Sequence, residues 1–298
     1  MHNYTTATCF SLSDNPTLQT FMQVNVPKMG FEHKHILHLI LSLSALHLAR
    51  FKPDQKQLYL EHADRHYQAG LRIATALLQN PLPKSDPSVY LFASMCNAFV
   101  LAKGPKDGDF LLFSNDGPAE WISLLRGAKA LFSFEDESIH RGELAPMIQS
   151  GIQAASQRRT TLPPSEMDTL ARLHDLVDAT SSGPEEVNVL NTAVDNLWTL
   201  FSSKFDGSGR KMQAQFQDIG VWLYRCSDEF TALLQQHHPA ALVIFAHACI
   251  VINDLSPNWA VSGWVPHLLS GIYKNLPLDY HPAIQRPLQE IGWIPPCT

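Results

Sequence analysis

The chain has 298 residues, 45% hydrophobic and 17% charged, which is enough apolar material for a substantial core and too much for a disordered segment. Twenty-two Lys and Arg against 28 Asp and Glu give a formal charge of −6 and an isoelectric point near 6.1, so there is no extended positive field to grip a phosphate backbone, and direct nucleic-acid contact by this chain is not expected. The five cysteines, at 9, 96, 226, 249 and 297, are odd in number, widely spaced and without a C-x-x-C pair, and read as reduced intracellular thiols rather than a disulfide frame or zinc cluster.

The start, MHNYTTATCFSLSDNP, lacks the basic end and unbroken apolar run of a signal peptide, which predicts a cytoplasmic or nuclear protein. Ile36, Leu37, Ile40, Leu41, Ser44 and Leu48 recur at three- and four-residue spacing and predict a mostly buried helix that Pro53 ends. Leu58 to Gln79 repeats the pattern, with Leu60, Ala63, Tyr67, Leu71, Ala74 and Leu78 inward, and forms a hairpin with the first. Tyr90 to Leu101, almost wholly apolar, is expected to be central.

AKGPKDGDFLLFSNDGPAEW then places Gly104, Pro105, Gly108, Gly117 and Pro118 around a short apolar FLLF, an ordered crossing loop rather than a helix. Asp116 or Gly117 caps the helix expected from Pro118. Further helices are predicted at about 165–179, 185–203, 210–236 and 240–253, separated by the polar connectors TSSGPEE and SSKFDGSGRK. The longest apolar run, Ala240 to Ile252, has the length of a buried core helix and not of a membrane span. Strand alternation is rarely sustained. The expectation is an all-α bundle of about eight to eleven helices enclosing a hydrophobic pocket, one ligand-binding domain over 1–298 with a subdivision admitted near 180–186.

Familiar chemistry is scarce. Among 14 histidines, His62 and His66 have i, i+4 spacing, but no further donor at a fixed offset completes a metal site. His33, His35 and His38, near the start of the first long helix, are read as solvent-exposed or bonded to backbone. No G-x-S-x-G occurs, and Cys96, Cys226 and Cys249 lie in apolar settings that would raise a thiol pKa. GPKDGD has the wrong charge to cradle phosphate, and Glu135, Asp136 and Glu137 read as a solvated turn. No metal and no cofactor is therefore expected.

What remains is apolar and aromatic. Segments 103–121 and 255–268 combine Gly and Pro with aromatic faces, which suits a pocket with apolar walls and a few polar contacts. The expected ligand-contacting set is Phe92, Cys96, Phe99, Phe110, Trp121, Phe245, Cys249, Trp259, Gly263 and Trp264.

HNYTTATCFSL, MGFEHKHILHLILSLSALHLAR, YLEHADRHYQAGL, GDFLLFSNDGPAEWISLLRGAKAL and NWAVSGWVPHLLSGIY with PLQEIGWIP resemble the C-terminal regulatory domain of fungal zinc-cluster transcription factors, especially the sterol uptake control regulators. The resemblance runs from His2 to Pro296. Gly108, Asp109, Phe110, Gly117, Glu120, Trp121, Arg126, Gly127, Trp259, Gly263, Trp264 and His267 match its pattern. It implies an all-helical domain whose hydrophobic pocket takes a sterol such as ergosterol. The six-cysteine cluster is absent, Ala248, Cys249 and Asp254 replace a tyrosine-rich helix end, and Pro266 replaces a basic or polar residue, which implies a reshaped pocket.

Three functions fit these features. The first is a ligand-sensing effector domain that binds a sterol- or terpenoid-like molecule. The second is a stand-alone copy of the domain working as a metal-free cyclase or Diels-Alderase-type pericyclase in fungal secondary metabolism, with Glu120, Asp254, Trp264 and His267 as candidate catalytic groups. The third is a protein-interaction module, with a homodimer as one form. The resemblance favours the sensor, and the missing zinc-cluster half leaves the enzyme open.

Overall fold

The computed structural model describes residues 1–79, 86–114, 117–131, 141–157, 162–206 and 208–296. Its α-helices are α1 (Cys9–Ser11), α2 (Pro16–Thr20), α3 (Val26–Glu32), α4 (Lys34–Phe51), α5 (Lys56–Gln79), α6 (Pro87–Lys103), α7 (Glu120–Leu131), α8 (Ala145–Gln157), α9 (Pro164–Thr180), α10 (Pro184–Ser202), α11 (Phe216–Arg225), α12 (Asp228–Gln235), α13 (Pro239–Asp254), α14 (Trp264–Asn275) and α15 (Gln285–Ile291). Among the described residues the only strands are β1 (Phe113–Ser114) and β2 (Gly117–Pro118), an antiparallel pair. The fold is all-α.

The chain forms two compact units. Unit 1 comprises Met1–Gly104, Glu120–Ala154 and Asn258–Ala260; unit 2 comprises Pro105–Ala119, Ala155–Pro257 and Val261–Thr298.

Unit 1 is built on the α4–α5 hairpin, with α6 laid against it. On α5 the buried residues are Ala63, Tyr67, Gly70, Leu71 and Ala74, one stripe at helical spacing. Gly70 sets the closeness of the packing, because a Cβ there would lie 2.8 Å from the Phe92 ring and 3.1 Å from the His35 carbonyl oxygen. Asp86 caps α6 by accepting from Ser88 N at 2.9 Å, with Pro87 in the first turn. Gly104, at φ 82°, ends the same helix. The N-terminal segment is also helical, with π-helical turns at Tyr4–Thr8 and Phe21–Asn25 that no sequence period announces.

In unit 2, α13 is buried on every side from Ala240 to Ile252, as its unbroken apolar run requires. The connector at 181–183 turns α9 back along α10. Where one helix was expected at about 210–236, the structure has α11 and α12. Ser227 breaks them, its side chain accepting from Phe230 N at 3.1 Å with Asp228 and Glu229 in the new first turn. A capping box between Gln215 and Asp218 starts α11, so the chain before it is not helical.

Candidate functional site

Within unit 2 the two segments richest in Gly, Pro and aromatic residues meet, although they are distant in the chain. His267 on α14 donates from Nε2 to the Asp109 carbonyl oxygen at 2.7 Å. The Phe110 ring lies between Phe113 and His267, with centroids 5.1 and 5.8 Å away. Its edge also closes on the backbone of α14 at Gly271, where a Cβ would collide with it. Trp264, fully buried, meets His267 edge-on at 6.3 Å. Gly263 supplies the left-handed turn, φ 90°, that starts α14, and Pro266 falls in the first turn, where no intrahelical N–H is needed.

The loop that delivers Phe110 is folded tightly on itself. Phe110 N–H donates to the Phe113 carbonyl at 2.8 Å, and Leu112 N–H donates to the Phe110 carbonyl at 2.7 Å. The second of these closes a γ-turn around Leu111, whose φ is 69°. A γ-turn with positive φ is rare and strained, and for a residue with a Cβ the left-handed conformation costs about 1–3 kcal/mol. Two features hold Leu111 there: its side chain is fully buried, and its N–H is bonded to Asp109 Oδ1 at 3.0 Å. The β1–β2 pair closes the loop behind it.

Phe245 and Cys249 sit on α13 and are fully buried; Phe245 stacks on Trp222 at 5.9 Å. Burial alone pushes the Cys249 thiol far above its ordinary value, which removes it as a nucleophile. Asp254, at the end of α13, has its carboxylate 3.5 Å from Nζ of Lys204, a lysine whose side chain is only 4% exposed. Gln213 donates to the Asp254 carbonyl at 3.1 Å, so this corner ties the 203–213 loop to α13. A shallow depression between α10 and α11, lined by Thr199, Leu200, Trp222 and Arg225, among others, has a cavity volume of about 10 Å³, far below the roughly 300–1,000 Å³ of ordinary ligand pockets.

The other expected residues belong to unit 1. Phe92, Cys96 and Phe99 form one buried stripe of α6. Phe99 stacks on Tyr67 at 3.8 Å, and Phe92 meets the edge of His35 at 5.7 Å. His35, expected at the surface or on backbone, is buried, at 2% exposure, with a backbone hydrogen bond at Ser88, and burial pushes its pKa down to about 4. Trp259 donates from Nε1 to Ser11 Oγ at 2.9 Å and is met edge-on by His47 at 5.0 Å. The two tryptophans that share one short motif thus belong to different units, Trp259 to unit 1 and Trp264 to unit 2.

The side chains of Glu120 and Trp121, and all of Asp116, Glu135, Asp136, Glu137 and Cys297, lie outside the described residues. Leu111 and Gly271 were missed from sequence. A signal existed for Gly271: a glycine inside an apolar helical pattern, one turn after His267, marks a close approach of another chain segment. Nothing in the sequence marked Leu111.

Residues 2–173 match the model of a family described as fungal specific transcription factor domain. A segment of 137 residues, 42% of this chain, is 26% identical to the Zn(2)-C6 fungal-type transcription factor afumD of Aspergillus fumigatus. The match spans about a third of that relative, 32% of its length. No solved structure matches the chain.

Proposed function

Because the chain belongs to the fungal specific transcription factor domain family, which gives it a regulatory effector role, we propose that its finer task is to sense an apolar small molecule of the sterol or terpenoid type, acting in the nucleus or cytoplasm. The observation that carries this reading is the strained clasp in which Phe110 is held on Gly271 and Asp109 on His267, about a left-handed Leu111. Backbone strain of this kind collects where a segment must leave its place.

An apolar ligand that takes the position of the Phe110 ring lets Leu111 relax and gains contact with the His267 and Trp264 faces. Burying roughly 200 Å² of ligand at ~25 cal/mol/Å² contributes about 5 kcal/mol before the burial lost by the displaced Phe110 ring is subtracted, and only that difference shifts the two-state equilibrium. Release of about 1–3 kcal/mol of backbone strain acts in the same direction. The loop from 105 to 119 is then the element whose position reports occupancy to a partner, which includes a second copy of the chain.

The test is to incubate the purified chain with a panel of sterols and terpenoids and to follow bound and free species by mass spectrometry. A compound retained at about one per chain, released unchanged and held more tightly in Phe110→Ala, which vacates the seat of the ring, supports the sensor. A new product accumulating beyond one turnover replaces it with the enzyme. Retention that is identical in Phe110→Ala removes the clasp from the reading.

A further inference from the structure

In unit 1, far along the sequence from the clasp, two histidines converge across the α4–α5 hairpin. His38 Nδ1 lies 2.9 Å from His66 Nδ1, with the ring centroids 5.2 Å apart. One proton between two neutral rings accounts for this contact, but the same geometry sets two nitrogen lone pairs toward one point. On a tetrahedral zinc with Zn–N of about 2.0–2.1 Å, two ligand nitrogens are about 3.3 Å apart. The rings meet head-on, so to share an ion each has to swing by roughly 35° while the nitrogens part to about 3.3 Å. His62 precedes His66 by one turn of α5, the spacing with which a helix offers two imidazoles on one face.

We propose that His38 and His66 form a site for a borderline divalent transition ion, zinc or copper, with His62 as the third nitrogen donor and water completing the coordination.

Arg65 opposes a dication, but its side chain is exposed and its repulsion is screened by solvent.

Among the described residues no three His, Cys, Asp or Glu side chains are already gathered as a metal site. His62 has to turn toward the pair, so the affinity expected is micromolar, well short of a preformed structural zinc centre. An ion held in this way links α4 to α5, the two helices on which unit 1 is built. This site is independent of the sensing role, since none of its residues belongs to the clasp.

The experiment is calorimetric titration of the tag-free, chelator-stripped full chain with zinc chloride at pH 7.5, repeated at pH 5.5. One ion per chain is expected, with Kd in the micromolar range, weakened at least tenfold at the lower pH. His38→Gln and His66→Gln should each weaken binding at least tenfold and His62→Gln several-fold, with His281→Gln, in unit 2, unchanged. Far-UV dichroism of each variant establishes that the helices persist, which half-buried ring positions allow. The proposal is overturned if zinc up to the millimolar range produces no binding, or if the His38→Gln/His66→Gln double variant, still helical, binds zinc as the original does.

Discussion

The α4–α6 core of unit 1 and the clasp of unit 2 are both rich in aromatic side chains, yet they are held together in opposite ways. In the core, Phe92, Phe99 and Tyr67 come from regular helices whose apolar stripes face one another, and a small residue, Gly70, lets the backbones close. In the clasp, Phe110 comes from a loop, its seat is a single glycine, and the loop holds a leucine in a conformation that leucine avoids. Regular packing spreads stability over many equivalent contacts. A loop clasp concentrates it in a few bonds and can come apart while its helices remain.

Substitutions separate the two regimes. Phe92→Ala in the core should lower unfolding stability by about 3–5 kcal/mol, read as a shift of the urea midpoint, without selective loss of any one ligand. A result under about 1 kcal/mol would mean that the α6 stripe is not packed as described.

Acidification acts on both units, most strongly through one buried histidine in each. His35 in unit 1 and His247 in unit 2 both have pKa values near 4, lowered chiefly by burial, against about 6.5 in an unfolded chain. The unfolded state therefore binds more protons, so stability is complete above about pH 6.5 and is lost as the pH falls toward 4. By pH 5 the loss is about 2 kcal/mol for each histidine. Replacing either by a neutral residue of similar shape should flatten this dependence, and an unchanged midpoint between pH 7 and 5 in the original protein would contradict their burial.

Gly271→Ala forces the Phe110 ring off α14 and should cost about 1–3 kcal/mol. Its mark is local: hydrogen exchange should accelerate in 105–119 and much less in α13. Smallest is His267→Gln, which removes the bond to the Asp109 carbonyl, worth about 1 kcal/mol. If this variant left exchange in the loop unaltered, the aromatic contacts alone would be holding the clasp.

The helices could be read from the chain because helical burial is periodic. The stripe through Ala63, Tyr67, Leu71 and Ala74 and the unbroken run of α13 state their own burial. The expected site was only partly legible. Phe110, Gly263, Trp264 and His267 are brought together, whereas Phe92, Cys96, Phe99 and Trp259 belong to the other unit, since an aromatic residue carries the same signal in a core as at a ligand wall. The break at Ser227 was written in the sequence as a serine followed by two acids, but a strong apolar pattern on both sides hid it.

By itself the sequence determined the all-α class, the long helices and the irregular nature of the loop around FLLF, all of which depend on neighbours within a few residues. Tertiary structure alone decided that His267 meets Asp109 across 158 positions, that His38 faces His66 across 28, and that Leu111 takes a left-handed turn. Those outcomes depend on which distant surfaces close on one another, and local periodicity carries no information about the far partner.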